Sequence, residues 1–295
     1  MSSNYYYLVA SLPKIAFDLE QKDVNILALK EEVKENIPAS DYAYVDMLFT
    51  PYDINNLPNK ILERKLPFSE KGRFTEEQFD IAIERPKKRL PSFMGDFVAI
   101  YKGKVEAEDE EEQARHEYIH SEPEVYLYTQ FYNKATTSRN KFIRDWFTID
   151  RDIRNILAAI SARRLGMDRE KVLIGEGEVI DALAKSTATD FGLRPEIDYM
   201  DRLLQIAEVS DMLERERQLD TLRLELADNL SVNHYFDIDF VLSLLLRADI
   251  VDRWLRLDKK IGTAMFRQIL KDIQAEFDIQ QALSQDPVLR GVDRR

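Results

Sequence analysis

The sequence lacks cysteine, is poor in glycine and contains no long apolar segment. Of its 295 residues, none is cysteine and nine are glycine. Without cysteine the chain has no disulfide, no thiolate nucleophile and no cysteine-ligated metal, which fits a reducing compartment. The strongest apolar run, residues 240–246, is interrupted by Ser243 and followed by Arg247, whereas a helical membrane span needs about 20 apolar residues. We therefore expect an intracellular protein that does not cross a membrane and has no secretory signal.

Basic residues are also in deficit. The chain carries 54 Asp and Glu against 42 Lys and Arg, which gives a net charge of −12. An acidic surface repels phosphate backbones unless basic residues are segregated into one patch, so nucleic acid is not an expected partner. Hydrophobic residues make up 44% and charged residues 33% of the chain, a balance typical of long amphipathic helices with polar outer faces.

Proline divides the first hundred residues of the chain. Seven prolines between positions 13 and 91 predict that this part forms only short helices. One helix is expected over residues 24–36, and another begins at Thr75, where Thr-Glu-Glu-Gln matches a capping box. We expect residues 1–104 to form a segmented helical region. The acidic run within residues 105–123 predicts a linker or a helix start.

Helical spacing dominates the remainder, residues 124–295. Between Glu124 and Leu165 there is no glycine or proline, and apolar residues recur every three or four positions. Gly166 is well placed to end this helical stretch. Further helices are expected over residues 200–229, 237–257 and 263–277, the first of them long or kinked. The expected fold is therefore mainly all-α, a multi-bundle helical array with a more irregular N-terminal part.

Residues 116–120 read His-Glu-Tyr-Ile-His and match the H-E-x-x-H zinc motif. On a helix the two histidines face the same way and can hold zinc while the glutamate activates a bound water. The extended motif is absent, because Pro123 and Tyr126 stand where its glycine and third histidine would be. One alternative is therefore a zinc-dependent hydrolase that uses His116, Glu117 and His120. The other is a protein with no catalytic residue, metal or cofactor.

Three segments in the C-terminal half resemble the C-type subunit of V/A-type ATPases, whose eukaryotic counterpart is the d-type subunit. They are residues 150–166 (DRDIRNILAAISARRLG), 173–177 (LIGEG) and 236–248 (FDIDFVLSLLLRA). That family has a helix with an acid, an Arg-Asn pair and a closing Ala-x-Arg-x-Gly, then a Gly-rich turn, then a helix with spaced Phe, Val and Leu. The order and spacing are similar, and the aromatic start of the chain at Tyr5 echoes the family more weakly. The chain thus resembles a divergent bacterial-type member.

The resemblance implies a funnel of helical bundles that performs no chemistry. Members of this family sit on the membrane rotor ring and receive the foot of the central shaft, so they transmit torque. The implied partners are the central-shaft subunits and the rotor ring, and the implied location is cytoplasmic and peripheral at the inner face of the membrane. Arg154, Arg163 and Arg164 lie on the matching helix and are candidate contact residues, unless they form intramolecular salt bridges or helix caps. A helical scaffold for protein–protein interaction is the third alternative.

Overall fold

The computed structural model describes residues 3–13 and 24–257, and these residues form α-helices and no strand. The helices are α1 (Ser3–Ser11), α2 (Ile26–Asn36), α3 (Ala39–Ile61), α4 (Glu76–Glu84), α5 (Pro86–Arg89), α6 (Ser92–Tyr101), α7 (Glu110–Ser121), α8 (Pro123–Ala135), α9 (Lys141–Leu165), α10 (Glu178–Lys185), α11 (Met200–Glu208) and α12 (Met212–Ser231). A last helix, α13, covers residues 238–257. The predicted all-α fold is confirmed, while the helix expected over residues 263–277 lies outside the described residues. No helix among the described residues has both the length and the apolar character that a membrane crossing requires.

Helix α3 contradicts the prediction that the first hundred residues form only short helices. It runs for 23 residues and carries Pro51 and Pro58 in its interior. Each interior proline removes a helical hydrogen bond and costs about 3 kcal/mol in an isolated helix. Five large side chains buried along α3 offset this cost, namely Val45, Leu48, Phe49, Ile54 and Leu57. The prediction was wrong because tertiary packing outweighs the local preference of proline.

Two helix starts follow from local capping signals. Thr75 and Gln78 form the predicted capping box, in which each side chain accepts a hydrogen bond from the other's backbone amide at 3.3 Å. Asp109 caps α7 by accepting a hydrogen bond from the Glu112 amide at 2.8 Å, and acidic side chains fill the first turn. Of the two alternatives for the acidic run, its second half is thus a helix start, where negative charge is stabilised by the helix dipole.

The single long or kinked helix predicted over residues 200–229 is in fact two helices. Helix α11 ends at Glu208, and Val209 adopts extended backbone angles of φ −65° and ψ 119°. Asp211 then caps α12 by accepting a hydrogen bond from the Glu214 amide at 2.7 Å. The prediction was wrong because the continuous apolar stripe obscured the cap, and a side-chain cap of this kind competes with helix continuation.

Buried apolar side chains form two clusters. The first draws on α1 to α4, α6 to α8, the start of α9, the end of α12 and α13. The second draws on the rest of α9 and α12 with α10 and α11. The boundary passes through two helices: Phe147 and Ile153 of α9 belong to different clusters, as do Leu222 and Leu224 of α12. Helix α9 packs directly on α12. The clusters are therefore joined by two continuous helices.

Candidate functional site

The first segment that resembles the rotary ATPase family forms the second half of α9 and its C-terminal cap. At the end of α9, the backbone of Gly166 is left-handed, with φ 65° and ψ 25°. Glycine adopts this conformation without the steric cost that a Cβ atom brings. The amide of Met167 donates to the carbonyl of Ala162 at 2.9 Å and so satisfies one of the last helix carbonyls. The predicted helix end at Gly166 is confirmed.

Asn155 connects α9 to the loop that follows it. Its side chain is fully buried, donates to the Ile174 carbonyl and accepts from the Ile174 amide, both at 2.8 Å. The planar amide thereby satisfies a backbone donor and acceptor that have no other element to pair with. Gly175 follows with φ 87°, and its amide donates to Thr129 Oγ1 of α8 at 3.2 Å. The asparagine of the Arg-Asn pair and Ile174 of the Gly-rich turn thus meet in one buried contact.

Arg154 of α9 packs against α8. Its guanidinium group is 4.1 Å from the centroid of the Tyr128 ring, a cation–π contact. The Tyr128 hydroxyl donates to Asn55 of α3 at 2.9 Å, and the Tyr132 hydroxyl donates to Asp150 at 2.7 Å. Burial raises the pKa of both tyrosines above the ordinary value, so both hydroxyls stay protonated as donors. Arg154 therefore contributes to packing between helices.

Arg163 and Arg164 lie at the exposed end of α9 and cap neighbouring helices. The Arg163 guanidinium is 3.9 Å from the centroid of Phe191, and its nitrogen donors face carbonyls at and after the end of α10. Arg164 donates to the Ala207 carbonyl of α11 at 2.8 Å and forms an ion pair with Glu208. A cation at a helix C-terminus is favourable because the carbonyl ends carry partial negative charge. Among the three candidate arginines, these two keep exposed side chains, and a partner contact there stays a prediction.

The H-E-x-x-H segment is helical, as the motif requires, but lies on the surface. Helix α7 buries Ile119 and leaves Glu117 and His120 exposed. The His120 ring packs against Tyr101, with centroids 4.5 Å apart. No group of three or more His, Cys, Asp or Glu side chains is arranged to hold a metal ion within residues 3–13 and 24–257. The described residues therefore offer His116 and His120 no third ligand, and a hydrolase role stays a prediction without structural support.

A buried polar cluster holds the segment between α3 and α4, residues 62–75, which we name the strap. Asn56 of α3 donates to the Ser69 carbonyl at 2.8 Å and accepts from the Ser69 amide at 3.0 Å. Lys30 of α2 is 6% exposed and donates to the carbonyl of Lys71 at 2.6 Å and to that of the next residue at 2.9 Å. These bonds satisfy backbone groups that no helix or sheet pairs, so the strap is fixed to two helices.

Lys71 ties the strap to α13. Its ammonium nitrogen lies 2.8 Å from Asp249 Oδ1 and 2.7 Å from Asp252 Oδ2. The Tyr52 hydroxyl of α3 donates to the other oxygen of Asp249 at 2.6 Å. The side chains of Lys71 and Asp252 are 10% and 5% exposed. Because water is largely excluded, loss of either partner leaves a charge without compensation, which is strongly destabilising.

Asp53 and Gly72 meet beneath the strap. Asp53 Oδ2 accepts from the Arg73 amide at 2.8 Å, whereas its buried Oδ1 has no hydrogen-bond partner among the described residues. A Cβ atom on Gly72 would lie 2.1 Å from that Oδ1, so a larger residue cannot fit without rearrangement. Burial raises the pKa of Asp53 to about 6, although backbone amides of the strap and the charge of Lys30 oppose this rise.

Replacing Asp53 with Asn should remove a pH-dependent loss of stability. The folded-state pKa, about 6, lies above the ordinary value of 3.8, so the native protein holds a proton that the unfolded chain has released in this window. The contribution of Asp53 to the free energy of unfolding therefore falls as pH rises from about 4 to about 6, by up to about 3 kcal/mol. Asp53→Asn lacks this contribution. Urea unfolding of both proteins across this window measures the difference.

The expected signature is a stability advantage of Asp53→Asn over the wild type that grows as pH rises. Asp198→Asn, at an exposed position, is the control and should show a pH-independent difference. If the stability difference between Asp53→Asn and the wild type were also independent of pH, the Asp53 carboxyl group would ionise in the native protein as readily as in the unfolded chain.

The strap contacts were not predicted, although the sequence contains one signal for them. Val45, Phe49, Asp53 and Asn56 follow one stripe of α3 at helical spacing, so two polar side chains interrupt an otherwise apolar face. Polar groups in a buried stripe need hydrogen-bond partners. The stripe therefore indicates that Asp53 and Asn56 bind something, but the partner, the strap, is visible only in the folded chain.

These features define an all-α protein in which two helical clusters share α9 and α12, and in which side chains bind irregular segments to helices. Residues 1–277 match the model of a family described as Protein of unknown function (DUF2764), and the chain belongs to this family. No curated protein and no solved structure matches the chain. Membership of this family is thus established over most of the chain.

Proposed function

We propose that the protein is a non-enzymatic central-stalk subunit of a V/A-type rotary ATPase and couples the central shaft to the membrane rotor ring. The observation that carries the proposal is the contact between Asn155 and Ile174, in which two buried hydrogen bonds join the first two segments of the resemblance. The residues that resemble the rotary ATPase family contact each other in the folded chain, and this contact explains why the two segments are spaced as they are in the sequence. Such a contact supports the proposal more strongly than similar residues at unconnected surface positions would.

The connection between the two clusters supports the same proposal. Force passes efficiently through a protein when its parts are joined by packed secondary structure, since a flexible linker would absorb the displacement. Here α9 and α12 each contribute side chains to both clusters. An all-helical chain joined in this way suits a protein whose task is mechanical coupling.

The proposal predicts co-purification with a rotary ATPase. The tagged chain, isolated from native membranes in mild detergent, should carry rotor-ring and central-shaft subunits in a fixed ratio measured by quantitative mass spectrometry. Zinc measured in the same sample should be far below stoichiometric. Absence of both sets of subunits would contradict the proposal. Stoichiometric zinc that is lost in His116→Ala would instead favour the hydrolase alternative.

Paired arginine variants test whether the end of α9 takes part. Arg163→Ala should lower the recovered partner subunits if this arginine contacts them. Loss of its contact with Phe191 and of its cap at the end of α10 should lower the melting temperature by no more than about 4 °C. Arg217→Ala, also at an exposed position, is the matched control and should leave recovery unchanged. Equal recovery with both variants would place the contact elsewhere on the protein.

A further inference from the structure

Four aromatic side chains are exposed where α1 meets the turn between α12 and α13. Tyr7 is 74%, Tyr235 64%, Tyr6 57% and Phe236 47% exposed. We name these residues the aromatic platform. The ring centroids of Tyr6 and Phe236 are 5.0 Å apart, and those of Tyr6 and Tyr7 are 6.0 Å apart. Tyr235 adjoins Phe236 in the sequence. Single exposed apolar residues are common, but a group of neighbouring exposed rings is typical of an interaction site.

The platform rests on fixed elements on both sides. On α1, Tyr5 is buried and its hydroxyl donates to Asp41 at 2.6 Å. At the start of α13, Asp237 Oδ1 accepts from the Phe240 amide at 3.1 Å, and Asp237 Oδ2 lies 2.7 Å from His234 Nδ1. Aromatic side chains held on such supports lose little conformational entropy when a partner covers them. The backbone that carries the rings is therefore fixed on both sides before a partner binds.

Three carboxylates lie near Tyr5, the buried neighbour of the platform on α1, and one of them, Asp237, directly follows Phe236 in the chain. Burial raises the pKa of Tyr5 above the ordinary range, and the negative charges of Asp41, Asp237 and Asp239 raise it further. The side chain of Asp237 is 45% exposed and that of Asp239 is 11% exposed, so Asp237 is the more accessible of the two. A cationic partner gains twice at such a surface, since arginine and lysine stack on aromatic faces and pair with carboxylates.

The same charges disfavour two other occupants. An anionic membrane surface attracts aromatic residues flanked by lysine and arginine, whereas acidic flanks are repelled. A second copy of this chain, bound through a two-fold axis, would bring the two acidic rims together. A basic segment of another protein is the occupant that suits both the rings and the acids.

We propose that the aromatic platform is a docking surface for a protein segment that presents arginine or lysine next to apolar side chains. The apolar side chains cover the rings, and the cation pairs with Asp237. Tyrosine is among the residue types that contribute most to binding when covered at the centre of an interface. The inference stands on the exposed rings and the neighbouring acids, and it holds whether or not the partner belongs to a rotary ATPase.

Site-specific photo-cross-linking tests the platform in the full chain in its native cells. The cross-linking residue p-benzoylphenylalanine replaces Tyr7, and the control carries it in place of Tyr118, a 42% exposed tyrosine on α7. The Tyr7 position should give an adduct with one protein, and mass spectrometry should locate the adduct in a segment with arginine or lysine beside apolar residues. The Tyr118 position should not give that adduct.

A second substitution tests the charge. Asp237→Asn keeps an oxygen that can cap α13 at the Phe240 amide and an amide nitrogen that can donate to His234, and it removes the negative charge. An unchanged melting temperature checks that the fold is kept. The yield of the Tyr7 adduct should fall by about fivefold in this background. An unchanged yield, or adducts only with lipid, with a second copy or within the same chain, would overturn the proposal. Absence of any adduct would overturn it as well.

Discussion

Replacing Gly72 with Ala should destabilise the protein by about 3–4 kcal/mol, although it adds a single methyl group. The new Cβ would lie 2.1 Å from Asp53 Oδ1 and 2.6 Å from Asp53 Cγ. Asp53 cannot rotate away, because it is 2% exposed and its other oxygen holds the Arg73 amide at 2.8 Å. Relief of the clash requires the strap to move from α3, which also breaks the bonds from Lys30.

A double-mutant cycle provides the control for this prediction. Asp53→Ala removes the atoms that obstruct the new methyl group, so Gly72→Ala should cost less than about 1 kcal/mol in that background. Urea denaturation of the wild type, both single variants and the double variant gives the four free energies. The same cost in both backgrounds would show that Gly72 is required for its backbone conformation. That outcome is not expected, because the φ of Gly72 lies outside the left-handed region.

Asn155→Leu is expected to lower the free energy of unfolding by about 3–4 kcal/mol. Leucine fills a similar volume but leaves the amide and carbonyl of Ile174 unpaired, and Ile174 is 6% exposed. Each buried polar group without a partner costs about 1–3 kcal/mol. Thermal unfolding measures the global effect. Hydrogen exchange at the Ile174 amide, which should lose its protection, measures the local effect.

Asn133→Leu is the matched control, because Asn133 is exposed on α8. Surface substitutions of this kind usually change stability by less than about 0.5 kcal/mol. If Asn155→Leu proved as mild as this control, the loop after α9 would be held by its apolar contacts and not by Asn155. The structural basis for the resemblance between residues 150–177 and the rotary ATPase family would then be lost.

Elements encoded by short-range signals were predicted correctly from the sequence. The capping box at Thr75 and the helix end at Gly166 each depend on residues within one or two turns. The all-α class followed from apolar spacing repeated over most of the chain, and the described residues confirm it. In each case the residues that form the structure are close together in the sequence, so their pattern can be recognised directly.

Elements that depend on distant contacts were not predicted. Lys71 pairs with Asp249, a residue 178 positions away, and no local pattern indicates that contact. The length of α3 was missed for the same reason, because its prolines are tolerated only when its face is packed. The sequence could show that Asp53 and Asn56 interrupt an apolar stripe. It could not show which segment they bind.

Helical periodicity distinguishes two of the candidate arginines on α9. Residues nine apart on an α-helix, such as Arg154 and Arg163, lie about half a turn from each other around the axis. Arg154 packs on Tyr128 inside the protein, and Arg163 lies at the surface. Helical periodicity thus separates a packing arginine from an accessible one, whereas a shared sequence segment suggests that they act together.

Helices α9 and α12 each pack into one hydrophobic cluster at one end and into the other cluster at the other end. Helix α9 has 25 residues, which corresponds to about 37 Å of continuous helix. A single shared helix could still bend or rotate about its axis at the boundary between the clusters. A second helix packed beside it opposes such movement, and Arg223 of α12 pairs with Asp150 of α9 at 3.6 Å close to that boundary. Two packed helices therefore continue through the boundary between the clusters, where a chain of two domains would normally have a linker.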